Sequence, residues 1–232
     1  MVDVDDRIVW PSREVVPIDR WILSADIGQA QDPTALSLLH HTRQPLPGRD
    51  AYQPDPVRRV WKQAAIERFD VLNLKRLPLG MSYTAQVEHI RGLILRLRER
   101  GINPDFALDF TGCGRPVGDM FDHVGMSPAK VLITGGHEAS QHGGKVWHVP
   151  KVLLISSLEA VMDRGEFKIA ADADDAQTLV SELKDFRRKV SESGRAQYEA
   201  RATAHDDLVL SCAMGVWWAV SRPSVTRQEL RV

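Results

Sequence analysis

Apolar and polar positions along the chain follow two spacings, one typical of strands and the other of helices. Mostly apolar runs at residues 20–28 and 34–42 predict two strands joined by a polar turn, and an apolar–polar alternation at 68–79 predicts a third strand. Residues 82–101 carry apolar side chains every three or four positions, which predicts a helix that Ser82 caps. The first part of the chain is thus expected to form three strands followed by a long helix.

The rest of the chain alternates short apolar strands with helices. Strands are predicted at three ranges, 104–109, 129–136 and 166–170. Helices are predicted at four places, namely from the glycine-rich turn after Asp109 to about His123, and at 150–165, 174–186 and 205–221. Because the elements alternate without an internal repeat, we expect one α/β unit.

Four segments fall outside this regular pattern. Residues 1–18 predict an irregular N-terminal arm, and the proline-rich residues 43–60 predict a loop insertion. The sequence "SESG" at the centre of 186–201 predicts a hairpin, and residues 222–232 form a C-terminal tail. The expected domain therefore spans residues 19–221.

Composition narrows the class of protein. The chain is 43% hydrophobic, which is enough to form a core. Its formal net charge of −1 does not indicate DNA binding, although a local basic groove is compatible with that total. Cys113 and Cys212 are far apart and form no CxxC, which argues against a disulfide scaffold or a thiolate zinc site. The acidic N-terminus lacks the apolar segment of a secretory signal, and no stretch is long and apolar enough to cross a membrane. We therefore expect a soluble cytoplasmic protein.

Aspartates occupy the ends of two predicted strands and the start of the last helix. Asp26 ends the first strand, Asp109 ends the strand after the long helix, and Asp206 and Asp207 precede the apolar run of the final helix. Ligands bind at the carboxyl ends of strands in open α/β sheets. If the two strands are parallel neighbours, their aspartates lie side by side, and the last helix must bring its own pair to the same edge.

Carboxylates gathered in this way repel one another unless a cation neutralises them. Oxygen ligands favour Mg²⁺ or Mn²⁺, and two such ions clamp a scissile phosphate in many nucleases. Each residue also has a structural interpretation. Asp26 is compatible with a turn, Asp109 with an Asx turn, and the pair at 206–207 with stabilisation of a helix N-terminus. The joint order of the four aspartates favours the metal site.

Three segments resemble the motifs of a known family. The sequences "ADIGQAQDPTAL", "ALDFTGCGRPVGDMF" and "HDDLVLSCAMGVWWA" are similar to motifs of the terminase large subunit nuclease domain, the DNA-cutting part of the tailed-phage packaging motor. The resemblance spans roughly residues 18–221. It implies an RNase H-like fold, in which a mixed central sheet has three antiparallel strands followed by parallel ones and is flanked by helices on both faces.

The resemblance also implies roles for individual residues. The family's catalytic aspartates fall on Asp26, Asp109 and Asp207, with Asp206 as a second ligand beside Asp207. Asp32 stands where some members keep a further acidic residue near the second metal. The implied activity is a metal-dependent endonuclease that cleaves double-stranded DNA with two Mg²⁺ or Mn²⁺ ions during genome packaging.

Packaging terminases also carry an ATPase domain, and this chain has no GxxxxGK[ST] motif. The chain is therefore expected to be an excised nuclease domain or a stand-alone gene product. Its candidate partners are double-stranded DNA, a separate ATPase motor subunit, the small terminase and the portal, in the cytoplasm of an infected or lysogenic bacterial cell. No membrane partner is expected.

Basic residues provide weaker candidates for contacts with DNA phosphates. The candidates are Lys151, Arg187, Arg188, Lys189 and His205. A solvated surface explains each of them as well as DNA contact does.

Two other functions remain open. A Holliday-junction resolvase or an RNase H-type nuclease would use the same carboxylate chemistry on another substrate. A non-catalytic RNase H-like module that binds DNA or the packaging complex is the alternative from another class. Retention of mutually repelling aspartates argues against the non-catalytic module.

Overall fold

A computed structural model describes residues 10–30, 32–192 and 206–221. These residues contain two sheets. The strands in chain order are β1 (Ser12–Arg13), β2 (Ile18–Asp26), β3 (Ala35–Pro45), β4 (Tyr52–Asp55), β5 (Val60–Gln63), β6 (Ala65–Arg76), β7 (Asp105–Asp109), β8 (Ala129–Thr134), β9 (Ser140–Gln141), β10 (Val146–Pro150) and β11 (Phe167–Ile169). The central sheet has the order β11-β6-β3-β2-β7-β8-β10-β9, and β1, β5 and β4 form a small second sheet.

The central sheet is mixed in the expected way. Strands β2, β3 and β6 pair antiparallel, and β7, β8 and β10 continue the sheet in parallel on the other side of β2. β2 therefore lies between the antiparallel half and the parallel half. This arrangement confirms the mixed sheet expected of an RNase H-like fold, and it turns the carboxyl ends of β2, β7, β8 and β10 to the same edge.

Helices cover both faces of this sheet. They are α1 (Tyr83–Glu99), α2 (Gly114–His123), α3 (Lys151–Asp163), α4 (Ala176–Glu192) and α5 (Asp207–Ser221). One buried cluster joins α1 and α2 to one face, and another joins α3, α4 and α5 to the opposite face. α5 is buried along most of its length, which explains why its sequence is apolar all round.

Residues of β2 show how the two faces arise. Successive strand side chains point to opposite faces, so Ile22 joins the cluster with α5 while Leu23 joins the cluster with α1. Both are fully buried. Each such burial contributes about 1.5–3 kcal/mol, so the apolar character of residues 20–28 reflects a strand that is covered on both sides.

Two predicted irregular segments contain regular structure. The expected insertion at 43–60 includes the end of β3, a 3₁₀ turn at Arg49–Ala51, the strand β4 and the start of β5. Within the expected N-terminal arm, Ser12 and Arg13 pair with Trp61 and Lys62 of β5. The loop prediction was wrong here because prolines at an edge strand leave enough backbone donors for a small sheet. Residues 1–9 and the predicted tail at 222–232 lie outside the described residues.

The predicted hairpin at 186–201 is wrong over its first part. The α4 backbone is helical as far as Glu192, since positions 179, 183, 186 and 190 continue an apolar helical spacing. The remaining positions of that hairpin lie outside the described residues. The glycine-rich segment between β8 and α3 contains β10, which pairs with β8, and the short edge strand β9.

Across the described ranges, no helix is long and apolar enough to cross a membrane.

Candidate active site

Asp26 and Asp109 lie side by side at one edge of the central sheet. β2 and β7 are parallel neighbours in which Ala25 pairs with Leu108, and each aspartate is the next residue along its strand. The carboxyl ends of parallel strands meet at one edge of a sheet. The structure therefore brings together the two strand-end aspartates that the sequence singled out.

The environment of Asp26 disfavours a negative charge. Desolvation raises the pKa of the Asp26 carboxyl well above its usual range, and the charges of Asp109, Asp207 and Asp206 raise it further. When protonated, Asp26 donates a hydrogen bond to Asp109. Four carboxylates from two strands and one helix thus act on one another at this edge.

Asp109 is fixed by the turn that follows it. Its Oδ1 accepts a hydrogen bond from the backbone N–H of Thr111 at 2.8 Å, which is an Asx turn. An added Cβ at Gly114 would lie 2.0 Å from the Asp109 carbonyl oxygen, so α2 can begin this close to the site only with glycine. Burial raises the pKa of Asp109, while the Thr111 hydrogen bonds and the positive charge of Lys151 oppose the rise.

Small residues let α5 pack closely on β2. The Ser24 hydroxyl lies 2.7 Å from the Ser37 hydroxyl and donates to the Ser211 carbonyl at 2.8 Å. One turn further along α5, an added Cβ at Gly215 would lie 2.8 Å from the Ser24 Oγ. These small residues therefore allow α5 to approach β2 closely, and the N-terminus of α5 reaches the edge that carries Asp26.

Asp207 is the first residue of α5 and is only 7% exposed. Its Oδ2 lies 3.4 Å from Nη2 of Arg76, the last residue of β6. The same guanidinium forms an ion pair with Glu182 of α4. Burial raises the pKa of Glu182 to about 7, although the Arg76 charge opposes that rise. Asp207 thus faces the carboxylate cluster on one side and a cation on the other.

Asp206 has a different partner. The Lys151 Nζ donates to its Oδ2 at 2.8 Å. Lys151 is the first residue of α3 and directly follows β10, so it comes from the same sheet edge as the aspartates. The adjacent aspartates at 206 and 207 therefore contact cations from opposite halves of the sheet.

The donor set fits a hard divalent cation. It consists of carboxylate oxygens, which Mg²⁺ and Mn²⁺ favour, and a positive ion would relieve the repulsion that raises the Asp26 pKa. Within the described residues, no three acidic, histidine or cysteine side chains form a ready metal cage. This agrees with the ion pairs of Asp206 with Lys151 and of Asp207 with Arg76, in which these carboxylates contact basic side chains of the protein.

A buried polar network holds the backbone just after Asp26. The Thr34 Oγ1 accepts from the Gly28 N–H at 3.0 Å and lies 2.8 Å from the Gln86 Oε1. The Gln86 amide donates to the Gly28 carbonyl at 2.9 Å. Gln86 belongs to α1 and is 1% exposed, so the helix on one face fixes the turn that leaves the site.

The remaining predicted site residues are placed less tightly. Asp32 is exposed in the turn between β2 and β3, and its role as a metal ligand stays a prediction. Arg187, Arg188 and Lys189 lie on the α4 backbone, with side chains outside the described part, and His205 lies outside the described residues. Of the basic candidates for DNA contact, Lys151 is the one that the structure places at the carboxylates.

Sequence reasoning missed Arg76 and Glu182. Glu182 follows Leu179 by three positions, so it lies on the helical stripe that α4 turns to the core, and it is 9% exposed. A charged residue on an apolar stripe is a signal of a buried partner. Arg76 gave no comparable signal, because it ends a strand beside a proline-containing turn in which a basic residue is ordinary.

No protein-family model matches the chain, and no curated protein matches it. Among solved structures, it is similar to the large terminase nuclease from thermophilic phage G20c with bound magnesium. The sequence identity is 20% and the TM-score is 0.49, over 90% of this chain and 85% of that chain. It is also similar to the large terminase nuclease domain of Thermus phage P74-26, with 19% identity and a TM-score of 0.46 over 90% of this chain and 88% of that chain.

A third similar structure is the human cytomegalovirus terminase nuclease domain soaked with manganese. Its identity is 11% and its TM-score is 0.47, over 87% of this chain and 84% of that chain. These solved structures are terminase nuclease domains, the family that the three sequence motifs resemble.

Proposed function

We propose that this chain is a metal-dependent endonuclease that cleaves double-stranded DNA. The observation that carries the proposal is the convergence of Asp26, Asp109 and Asp207 from two strand ends and a helix start, in surroundings that desolvate Asp26. A carboxylate cluster that costs stability without a cation is expected where a cation is needed for function.

In this proposal Asp26, Asp109 and Asp207 hold two Mg²⁺ or Mn²⁺ ions. The chemistry that such ions supply when bound is activation of the attacking water and stabilisation of the leaving 3′ oxygen of the scissile phosphodiester. The protein contributes the positions of the ligands. The Asx turn orients Asp109, and the close contact between α5 and β2 brings Asp207 to the strand ends.

Lys151 is the residue best placed to contact the substrate backbone. Its side chain is 26% exposed and its ammonium group lies beside the carboxylates, so it can approach both the site and a phosphate. A phosphate that binds there would compete with Asp206 for the ammonium group. Arg187, Arg188, Lys189 and His205 remain candidates for contacts further along the DNA.

The substrate and partners follow from the resemblance of the motifs to terminase nucleases. We infer cleavage of concatemeric viral DNA during genome packaging, with an ATPase motor subunit, the small terminase and the portal as partners. In this context the protein acts in the cytoplasm of an infected or lysogenic bacterial cell.

The test is cleavage of supercoiled plasmid by the purified protein in EDTA, Mg²⁺ or Mn²⁺. Wild type is compared with Asp109→Asn and with Asp119→Asn, a matched control whose side chain is 74% exposed on α2. We expect metal-dependent nicking by wild type and the control, and none by Asp109→Asn. An active Asp109→Asn would overturn the assignment, and an inactive wild type that still binds DNA would favour a non-catalytic module.

The same preparations should be tested on linear duplex DNA, a four-way junction and an RNA–DNA hybrid. Preference for linear duplex is the expected result. Preference for the junction or the hybrid would instead identify a resolvase or an RNase H-type enzyme.

A further inference from the structure

The start of α5 is capped by an unusual donor–acceptor arrangement. Asp206 is the residue before the helix, and its carbonyl oxygen accepts the first helical hydrogen bond from Leu210 at 2.8 Å. In most helices the side chain at this position also accepts a hydrogen bond from the N–H group two or three residues later. The corresponding group here is the N–H of Val209.

The Val209 N–H is instead satisfied from a distant element. It donates to the Glu182 Oε2 at 3.2 Å, across 27 residues of sequence. The Asp206 Oδ2 accepts a hydrogen bond from the Lys151 Nζ at 2.8 Å. The N–H group of Val209 is thus capped by Glu182, while the Asp206 side chain pairs with Lys151.

Glu182 also forms an ion pair with the guanidinium group that lies beside Asp207. Its other oxygen, Oε1, pairs with Arg76, whose Nη2 is 3.4 Å from the Asp207 Oδ2. Arg76 is itself anchored, because its backbone N–H donates to the Asp175 Oδ2 at 2.7 Å. One carboxylate therefore fixes both the helix start that carries Asp207 and the cation that competes for Asp207.

The strand register connects this pair to the site. Asp26 pairs with Ala35 on β3, and Ala35 pairs with Arg76 on β6. Asp26 and Arg76 thus lie in one row across three strands. Through Glu182, the same row is tied to the first turn of α5.

We propose that Glu182 is the positioning residue of this site, which sets Asp207 against Asp26 by capping α5 and by holding Arg76. This inference rests on the proposed function for its consequence in metal binding. Without Glu182, the N-terminus of α5 loses a buried acceptor and Arg76 is left to pair with Asp207. Both changes oppose the binding of a cation by Asp207.

The experiment compares Glu182→Ala and Glu182→Gln with wild type. The control is Asp105→Ala, since Asp105 accepts a hydrogen bond from Trp218 at 3.2 Å and so tethers the other end of the same helix. Two quantities are measured: the hydrogen-exchange rate of the Val209 amide in EDTA, and the dissociation constant for Mn²⁺ alone by calorimetry.

We expect Glu182→Ala to lose protection of the Val209 amide and to weaken Mn²⁺ binding roughly tenfold, the lower end of typical losses for residues that orient metal ligands. Glu182→Gln keeps a side-chain oxygen for Val209, so it should retain the protection and part of the affinity. The control should change neither quantity. This pattern separates positioning from a general loss of stability.

Unchanged protection of Val209 in Glu182→Ala, or an equal loss of Mn²⁺ affinity in the Asp105→Ala control, would overturn the inference. If wild type binds no Mn²⁺, the proposed function fails instead, and the exchange data still decide whether Glu182 caps α5.

Discussion

Gly215 and Ser24 are in direct contact, so that a methyl group added at Gly215 would lie 2.8 Å from the serine hydroxyl oxygen. The contact is one helical turn from Ser211, whose carbonyl accepts from the same hydroxyl. It sets the distance between α5 and β2, and therefore the distance of the helix start from the strand-end aspartates.

Gly215→Ala should destabilise the protein by about 1–3 kcal/mol, because the added methyl group overpacks a buried contact. Urea denaturation measures this loss. The double variant Ser24→Ala with Gly215→Ala removes the obstructing oxygen and should recover part of it. If Gly215→Ala alone is as stable as wild type, the close approach of α5 does not depend on glycine.

Asp26→Asn should stabilise the metal-free protein while abolishing cleavage. The pKa of Asp26 is raised in the folded state, chiefly by desolvation and then by its neighbours, so ionisation of this carboxyl group opposes folding. Replacing the carboxyl group with an amide removes this cost and should raise the free energy of unfolding in EDTA, and the amide can still donate to Asp109. Urea denaturation with and without Mn²⁺ provides the measurement.

Addition of Mn²⁺ should reverse the ranking of these two proteins. Wild type gains stability when the folded state binds the ion, whereas Asp26→Asn gains little. An Asp26→Asn protein that is less stable than wild type in EDTA would contradict the electrostatic account.

Lys151→Ala should weaken DNA binding and reduce its dependence on salt. A lysine that contacts one phosphate contributes about one counterion, so the slope of log binding constant against log salt should fall by about 1. Binding is measured in Ca²⁺ over a range of salt concentrations. Lys168→Ala, an exposed lysine on β11, is the control and should leave the slope unchanged.

Acid should lower the stability of the folded protein by protonating Glu67, which lies far from the carboxylate site. Burial opposes ionisation of Glu67, but hydrogen bonds from His41 and Arg43 outweigh it and lower its pKa to about 2. Because the folded-state pKa lies below the ordinary value of 4.5, this stabilisation is complete above pH 4.5 and is lost as the pH falls toward 2.

Glu67→Gln should therefore cost on the order of 2 kcal/mol at pH 7 and much less near pH 2.5. Denaturation midpoints at the two pH values test this difference. An equal loss at both would show that packing, rather than charge, explains the role of Glu67.

Much of the fold could be predicted from the spacing of apolar residues. The segments 20–28 and 82–101 correspond to β2 and α1. They could be predicted because an element that is buried on one face or on both faces has a matching pattern of apolar residues in its local sequence. The hairpin at 186–201 shows the limit of this reasoning. Its turn residues "SESG" favour a hairpin, but the apolar spacing continues α4 to Glu192.

The sequence by itself determined that Asp26 and Asp109 stand at the ends of strands, and the pairing of β2 and β7 as parallel neighbours in the structure brings the two side chains to one edge. Only the tertiary structure decided their surroundings. Arg76 and Glu182 are 106 residues apart, and Lys151 and Asp206 are 55 apart. Local spacing shows which face of an element is buried, but the pairing of charges depends on how elements distant in sequence pack against one another.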